Sequence, residues 1–282
     1  TGQGAHRPCH LRSGPTATPR STGYAHQGLL IAKVPVWIIG NQVRGLAGTN
    51  QLPPILASSG TGTVQIIGNR VAMGNGGGDH EGIDVDASYA LIAGNIIQVN
   101  HDNSASGYDV YGIRASSSTY AIVVNNIIHN GYVSANVNSA SAGIYASGRI
   151  LGNIVLNLSR SYFGAIRGLG IVEITNNLCY GNYNNASCGS SAITTDPLLD
   201  TDLKPTAGSP AINAGPDDFA FADLDRSRND IGAYGGPWNI EQYDLQRDPL
   251  NYAPYVFPLF KANSAFSDGS IEVRALGVAR LR

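Results

Sequence analysis

The chain has 282 residues, 43% hydrophobic and only 13% charged, with 35 glycines and a formal net charge of −2. That length accommodates one large elongated domain or two ordinary ones, and no apolar run approaches the roughly 18 residues needed to cross a bilayer. Helix formers such as Lys, Glu, Gln and Met are scarce and the basic residues are dispersed without a recognised module, which argues against a helical bundle and against nucleic-acid binding.

Residues 1–33 match no repeat and read as an irregular or capping segment that carries Pro, Arg and His. The first acidic residue is Asp79, and residues 1–78 hold six Lys or Arg, leaving 12 basic and 20 acidic residues, net −8, in the remainder. Such a dipolar chain is suited to self-association, although a basic tail is more often a solvated segment. The chain begins with Thr and reads as a processed or truncated product. Cys179 and Cys188 are close enough to close a small loop, with Cys9 left over, but Cys179 also occupies a core-like position. A pairing and a free buried thiol are both open.

From Val34 onward an internal repeat appears. VWIIGNQV, VQIIGNRV, ALIAGNIIQV, AIVVNNIIHN, RILGNIVLN and VEITNNLCYGN align on Asn41, Asn69, Asn95, Asn126, Asn153 and Asn177, spaced 28, 26, 31, 27 and 24 residues apart. Three residues before each Asn stand Ile38, Ile66, Ile92, Val123, Ile150 and Ile174, all β-branched; two residues after it stand Val43, Val71, Ile97, Ile128, Val155 and Cys179. Both columns predict core-facing strand positions on either side of a bend at the Asn, which tolerates the left-handed conformation. Stacked about 4.8 Å apart, the asparagines form a ladder. Gly82-Ile83, Gly112-Ile113, Gly143-Ile144 and Ala165-Ile166 mark a third strand per coil. A leucine-rich repeat is the rival, but Leu is a minority at core positions and the intervening segments are rich in Gly, Ser and Asn.

If the third strands stack in register, the residue after each Ile points outward, giving the column Asp84, Arg114, Tyr145, Arg167. Two positions on lie Asp86, Ser116, Ser147 and Leu169, with Asp79, His80, Glu81 and Asp109 in the preceding loops. Asp84 and Arg114 on adjacent coils predict an exposed ion pair, an ordinary sheet decoration worth roughly 0 to 1 kcal/mol. Tyr89 and Tyr120 hold equivalent positions and predict stacking on neighbouring coils, either as a sugar platform or as a plain aromatic ladder. His80, His101 and His129 have no metal-ligand spacing. Asp223 to Asp230 starts like a calcium loop and fails where Arg228 and Tyr234 replace the required Gly and Glu. Asn157 and Asn185 begin sequons that matter only in a glycosylating host.

Residues 34 to about 236 resemble the right-handed parallel β-helix repeat proteins of the pectate-lyase-like group, including DPLLDTDLKPTAGSPAINAG and DLDRSRNDIGAYGG, which resemble the closing segment where such a chain ends its last coil. The resemblance implies an all-β, right-handed parallel β-helix over 34–236 with irregular flanks, and an extracellular or cell-surface location. Residues 237–282 then form a tail, a covering strand or the start of a further domain. Lyases of this fold hold calcium on exposed carboxylates beside a basic residue, so the resemblance offers Asp84 and Asp86 as calcium ligands and Arg114 or Arg167 as base. No family catalytic motif is present. The reading is therefore a secreted or surface-associated, non-catalytic module with a polysaccharide or cell-surface glycan as ligand, contacted by Asp84, Asp86, Arg114, Tyr145, Arg167, Tyr89 and Tyr120. A uronate polysaccharide lyase and a subunit of a head-to-tail filament are the alternatives.

Overall fold

A computed structural model describes residues 29–32, 36–45, 48–49, 52–58, 60–74, 76–77, 79–101, 109–133, 141–158, 164–183, 188–243, 255–259 and 274–278. Cys9, Asn185 and the basic segment before Leu29 lie outside them.

The short β-branched runs form three stacked families of parallel strands. One family contains β1 (Leu29–Ala32), β5 (Ile55–Ser58), β9 (His80–Asp86), β12 (Val110–Ala115) and the first halves of β15 (Ala142–Leu151) and β17 (Gly164–Thr175). The second contains β2 (Val36–Ile39), β6 (Thr63–Ile67), β10 (Tyr89–Ala93), β13 (Tyr120–Val124) and the second halves of β15 and β17. Because β15 and β17 run through both, these two families join as one 10-stranded sheet. A 6-stranded sheet holds β3 (Gln42–Arg44), β7 (Arg70–Ala72), β11 (Ile96–His101), β14 (Ile127–Val133), β16 (Ile154–Leu156) and β18 (Leu178–Tyr180). A small parallel pair, β4 (Gly48–Thr49) with β8 (Gly76–Gly77), completes the set. The fold is an all-β parallel solenoid, a β-helix.

The repeat columns take the expected register. Ile92 pairs with Ile66 and Val123, and Ile97 with Val71 and Ile128, and all of these side chains are buried. Ile83, Ile113 and Ile144 form the third buried column and Ile55 extends it. The asparagines form a continuous ladder: each carboxamide donates to the next Asn side-chain oxygen at 2.9–3.0 Å from Asn41 through Asn177. Buried amides are tolerable because every rung is satisfied.

One expectation is corrected. The left-handed residue at the bend is not the ladder Asn but the residue before it: Gly40, Gly68, Gly94, Asn125, Gly152 and Asn176 have φ of 66°, 64°, 63°, 53°, 60° and 54°. The ladder Asn follows the turn and aims its carboxamide along the axis at the next rung.

After a partial rung in which Ser190 and Ile193 bridge Thr175 and Leu178, the chain turns back. It straps the corner formed by the left-handed residues in reverse order. Asn176 donates to the Ala214 carbonyl, Gly152 receives the Gly232 amide, Asn125 exchanges hydrogen bonds with Asn229, Gly94 abuts Trp238, and Gly68 and Gly40 lie under Tyr243. A Cβ on Gly94 would run into the Trp238 carbonyl oxygen. Asp223 organises the strap by accepting the amides of Asp230 and Gly236, which is the structural role of the DLDRSRNDIGAYGG motif.

The strap also covers the outer face of the 6-stranded sheet, where Ile96, Ile127, Ile154 and Leu178 pack against Ala211, Ile231, Ala233, Tyr234 and Ile240. From β11 to β18 that sheet is therefore apolar on both sides, whereas Arg70 and Gln42 continue the outer column on β7 and β3, and each fully buried Ile contributes about 1.5–3 kcal/mol. Residues 1–243 form one compact unit and 244–282 a second. In the second, β19 (Tyr255–Leu259) pairs antiparallel with β20 (Arg274–Val278), the latter within GSIEVRALGVARLR.

Candidate functional site

With the third sheet covered, the outward residues of the other two families carry the chemistry. Asp84, Arg114, Tyr145 and Arg167 stand in one register column, as the repeat predicts. The Arg114 Nη1 lies 3.3 Å from both Asp84 carboxylate oxygens and 3.7 Å from Glu81 Oε1. Asp84 and Arg114 thus form the expected ion pair, with Glu81 as a third member, but both carboxylates are largely buried where the sequence predicts an exposed pair.

Strict alternation along the strand would not place Glu81 on the same face as Asp84. Gly82 makes the difference. A Cβ on it would come within 2.7 Å of the Gly112 carbonyl and 2.8 Å of Ile97, so the strand bends inward there and Gly82 and Ile83 are both buried. The same bend recurs at Gly112 and Gly143. It resets the alternation, putting Tyr111 beside Arg114 as it puts Glu81 beside Asp84. The Gly repeated before each core Ile was the available signal.

Tyr111 stacks on Tyr145 with ring centroids 5.0 Å apart and planes 11° apart, while the Arg167 guanidinium lies over the same Tyr145 ring at 6.0 Å. Tyr111 and Arg167 sit on strands that flank Tyr145 on opposite sides, so the neighbouring coils occupy both faces of that ring. Small residues make room, since Tyr111 pairs with Ala142 and Ala142 with Gly164.

Burial dominates the electrostatics. It pushes the Glu81 carboxyl up to about 7; Asp84 adds to the rise, Arg114 opposes it, and Asp79 and Asp109 raise it further. The Asp84 carboxyl is also raised, first by burial and against the pull of Arg114. Burial likewise raises the Tyr111 phenol well above its usual range. For both the Glu81 and Asp84 carboxyls the cost of burial exceeds what the attraction to Arg114 returns.

Where the first family turns into the second, Asp86 Oδ1 accepts from Ser116 Oγ at 2.8 Å and Ser118 Oγ at 3.2 Å. Thr119 joins through Ser116 and caps the Ala87 amide. Next come Tyr89 and Tyr120, stacked at 6.0 Å with planes 17° apart, and Tyr120 is 48% exposed. Ser147 is corrected in position: it pairs with Tyr120 and not with the Asp86 and Ser116 column, because β15 passes the corner as one strand, turning at Gly148 with φ 94°, without the loop that follows β9 and β12. Beyond it Leu169 belongs to a bulge in β17 between Gly168 and Val172 that leaves Ile171 94% exposed. Arg149 closes this side with an ion pair to Glu173 at 2.7 Å and lies over Phe221 of the strap.

Among the described residues no group of three or more His, Cys, Asp or Glu side chains is placed to hold a metal ion. Asp84 and Asp86 both face outward on one strand, with Arg114 on the first and the serine hydroxyls on the second. His80 Nε2 lies 3.1 Å from the Gly74 carbonyl and His129 Nδ1 lies 3.3 Å from that of Asn130. The His101 side chain lies outside the described residues. Cys179 and Cys188 form a disulfide inside the core, settling the question the sequence left open. Among the described residues no helix is long and apolar enough to cross a membrane.

Fold and site together define a parallel β-helix protein with a polar and aromatic outer face. Comparison with protein families, with curated proteins and with solved structures returns no significant match.

Proposed function

We propose that this protein is a secreted or surface-associated β-helix module of pectate-lyase-like architecture that binds carbohydrate, without catalysis, on the outward face formed by β9, β10, β12 and β13. The carrying observation is the half-exposed Tyr120 ring stacked on Tyr89, directly after the hydroxyl and carboxylate cluster of Ser116, Ser118 and Asp86. An aromatic face flanked by hydrogen-bonding groups is the pairing that sugar rings need, an apolar surface with polar edges. Tyr145 fits the role less well, since both its faces are occupied, and it serves as a structural link in the column. The disulfide supports an oxidising, extracellular location.

The lyase alternative requires Arg114 or Arg167 to take a proton. Arg114 instead donates to Asp84, and Arg167 lies over an aromatic ring, an arrangement that favours a cation. The test is titration with soluble glycans followed by tyrosine fluorescence and calorimetry, with uronate polymers plus calcium assayed in parallel for unsaturated product. Saturable binding abolished in Tyr120→Ala supports the reading; unsaturated product lost in Arg114→Ala or Arg167→Ala overturns it.

A further inference from the structure

The charge on this face selects among sugars. Asp79, Asp86 and Asp109 are carboxylates on the described part of β9 and β12 and their approaches, besides Asp84, which pairs with Arg114, and Glu81, whose buried carboxyl is pushed up to about 7; Arg114 and Arg167 are the two guanidinium groups of the same column. Arg114 is committed to Asp84 and Glu81. Asp86 is exposed, and its Oδ1 is held by two serine hydroxyls, which orients the carboxylate and directs Oδ2 away from them. Asp79 is exposed as well, with its Oδ1 accepting the Asp109 amide at 2.9 Å. A uronate chain laid on this face would bring its own carboxylates against those of Asp79 and Asp86.

Resting on the carbohydrate reading, we propose that the ligand is a glycan bearing protonated amino groups, a polymer of unacetylated amino sugar, whose ring stacks on Tyr120 while its ammonium pairs with Asp86. The ammonium meets a preoriented carboxylate and the hydroxyls meet Ser116 and Ser118. Recognition of this kind depends on charge at close range and weakens with salt.

The test uses the full chain and three oligosaccharide probes of equal length: glucosamine oligomers, their fully N-acetylated counterparts, and oligogalacturonate with and without calcium, all at about pH 5.5 in low salt. Expected is binding of the glucosamine oligomer at least threefold tighter than its acetylated counterpart. That preference is expected to fall below twofold in Asp86→Asn and in high salt, with Tyr120→Ala weakening both ligands alike. The Asp86→Asn variant keeps an acceptor for the two serines and so retains the fold. Equal affinity for the two amino-sugar probes, or tightest binding to oligogalacturonate, overturns this proposal and leaves carbohydrate binding standing. Binding to none of the probes overturns this proposal, and failure across the wider glycan titration overturns the carbohydrate reading too.

Discussion

The Asn126 side-chain oxygen accepts two hydrogen bonds from Asn95, one from its backbone amide at 3.0 Å and one from its carboxamide at 2.9 Å. The Asn95 carboxamide also donates to Ile66 O at 2.8 Å, and its own oxygen serves Asn69 in the same way. Asn95→Ala therefore leaves several buried groups unpaired. The expected loss is about 3–5 kcal/mol, read as a shift in the denaturation midpoint. Asn95→Asp, which cannot donate, should lose a similar amount. A loss below about 1 kcal/mol would show that the ladder is dispensable.

Gly94 and Gly60 have nearly the same backbone, φ 63° and 61°, but Gly94 lies under Trp238 and Gly60 has open space around it. Gly60→Ala should cost only the left-handed penalty, about 1–2 kcal/mol. Gly94→Ala should cost about 1–3 kcal/mol more and loosen the strap. Limited proteolysis within residues 209–243 should accelerate in the second variant alone. Equal behaviour of the two would mean that the strap does not depend on close approach at this corner.

The Cys179 and Cys188 disulfide closes a loop of sequence separation 9. Loop-closure entropy puts its contribution at about 2–3 kcal/mol. Thermal melts with and without reductant should differ by several degrees, with the reduced form the less stable. An unchanged melting temperature under reductant, with thiols confirmed free, contradicts this.

Glu81 ties stability to pH. Its folded-state pKa of about 7 lies above the ordinary 4.5, because burial, Asp84, Asp79 and Asp109 outweigh Arg114. Below about pH 4.5 the carboxyl is protonated in both the folded and unfolded states and has no effect. As pH rises towards 7 the unfolded chain releases its proton first, so stability falls, by up to about 3 kcal/mol above pH 7. Asp84 is shifted in the same direction and adds to the slope. Glu81→Gln should flatten the decline between pH 5 and 8 without removing the part due to Asp84. An identical pH profile in Glu81→Gln would refute the assignment.

The repeat, its three core columns, the Asn ladder and the Asp84, Arg114, Tyr145, Arg167 column were all legible in the amino-acid sequence. Each follows from a fixed period, because stacking at constant spacing makes equivalent residues neighbours whatever the rest of the chain does. The Tyr89 and Tyr120 stack was readable for the same reason. Other features depend on contacts between residues far apart in the chain, and only the tertiary structure decided them. Glu81 and Tyr111 join the outer face because Gly82 and Gly112 turn inward against Ile97 and Ile128. Ser147 leaves its predicted column because β15 passes the corner as one strand, turning at Gly148, where β9 and β12 end in a loop. The left-handed residue precedes the ladder Asn, a placement that the repeat period alone does not fix. The strap from Ala214 to Tyr243 has no period of its own, and its path is set by which corner leaves room for it and which apolar face it must cover. A repeat encodes its own neighbours, whereas a segment without one takes its place only by packing.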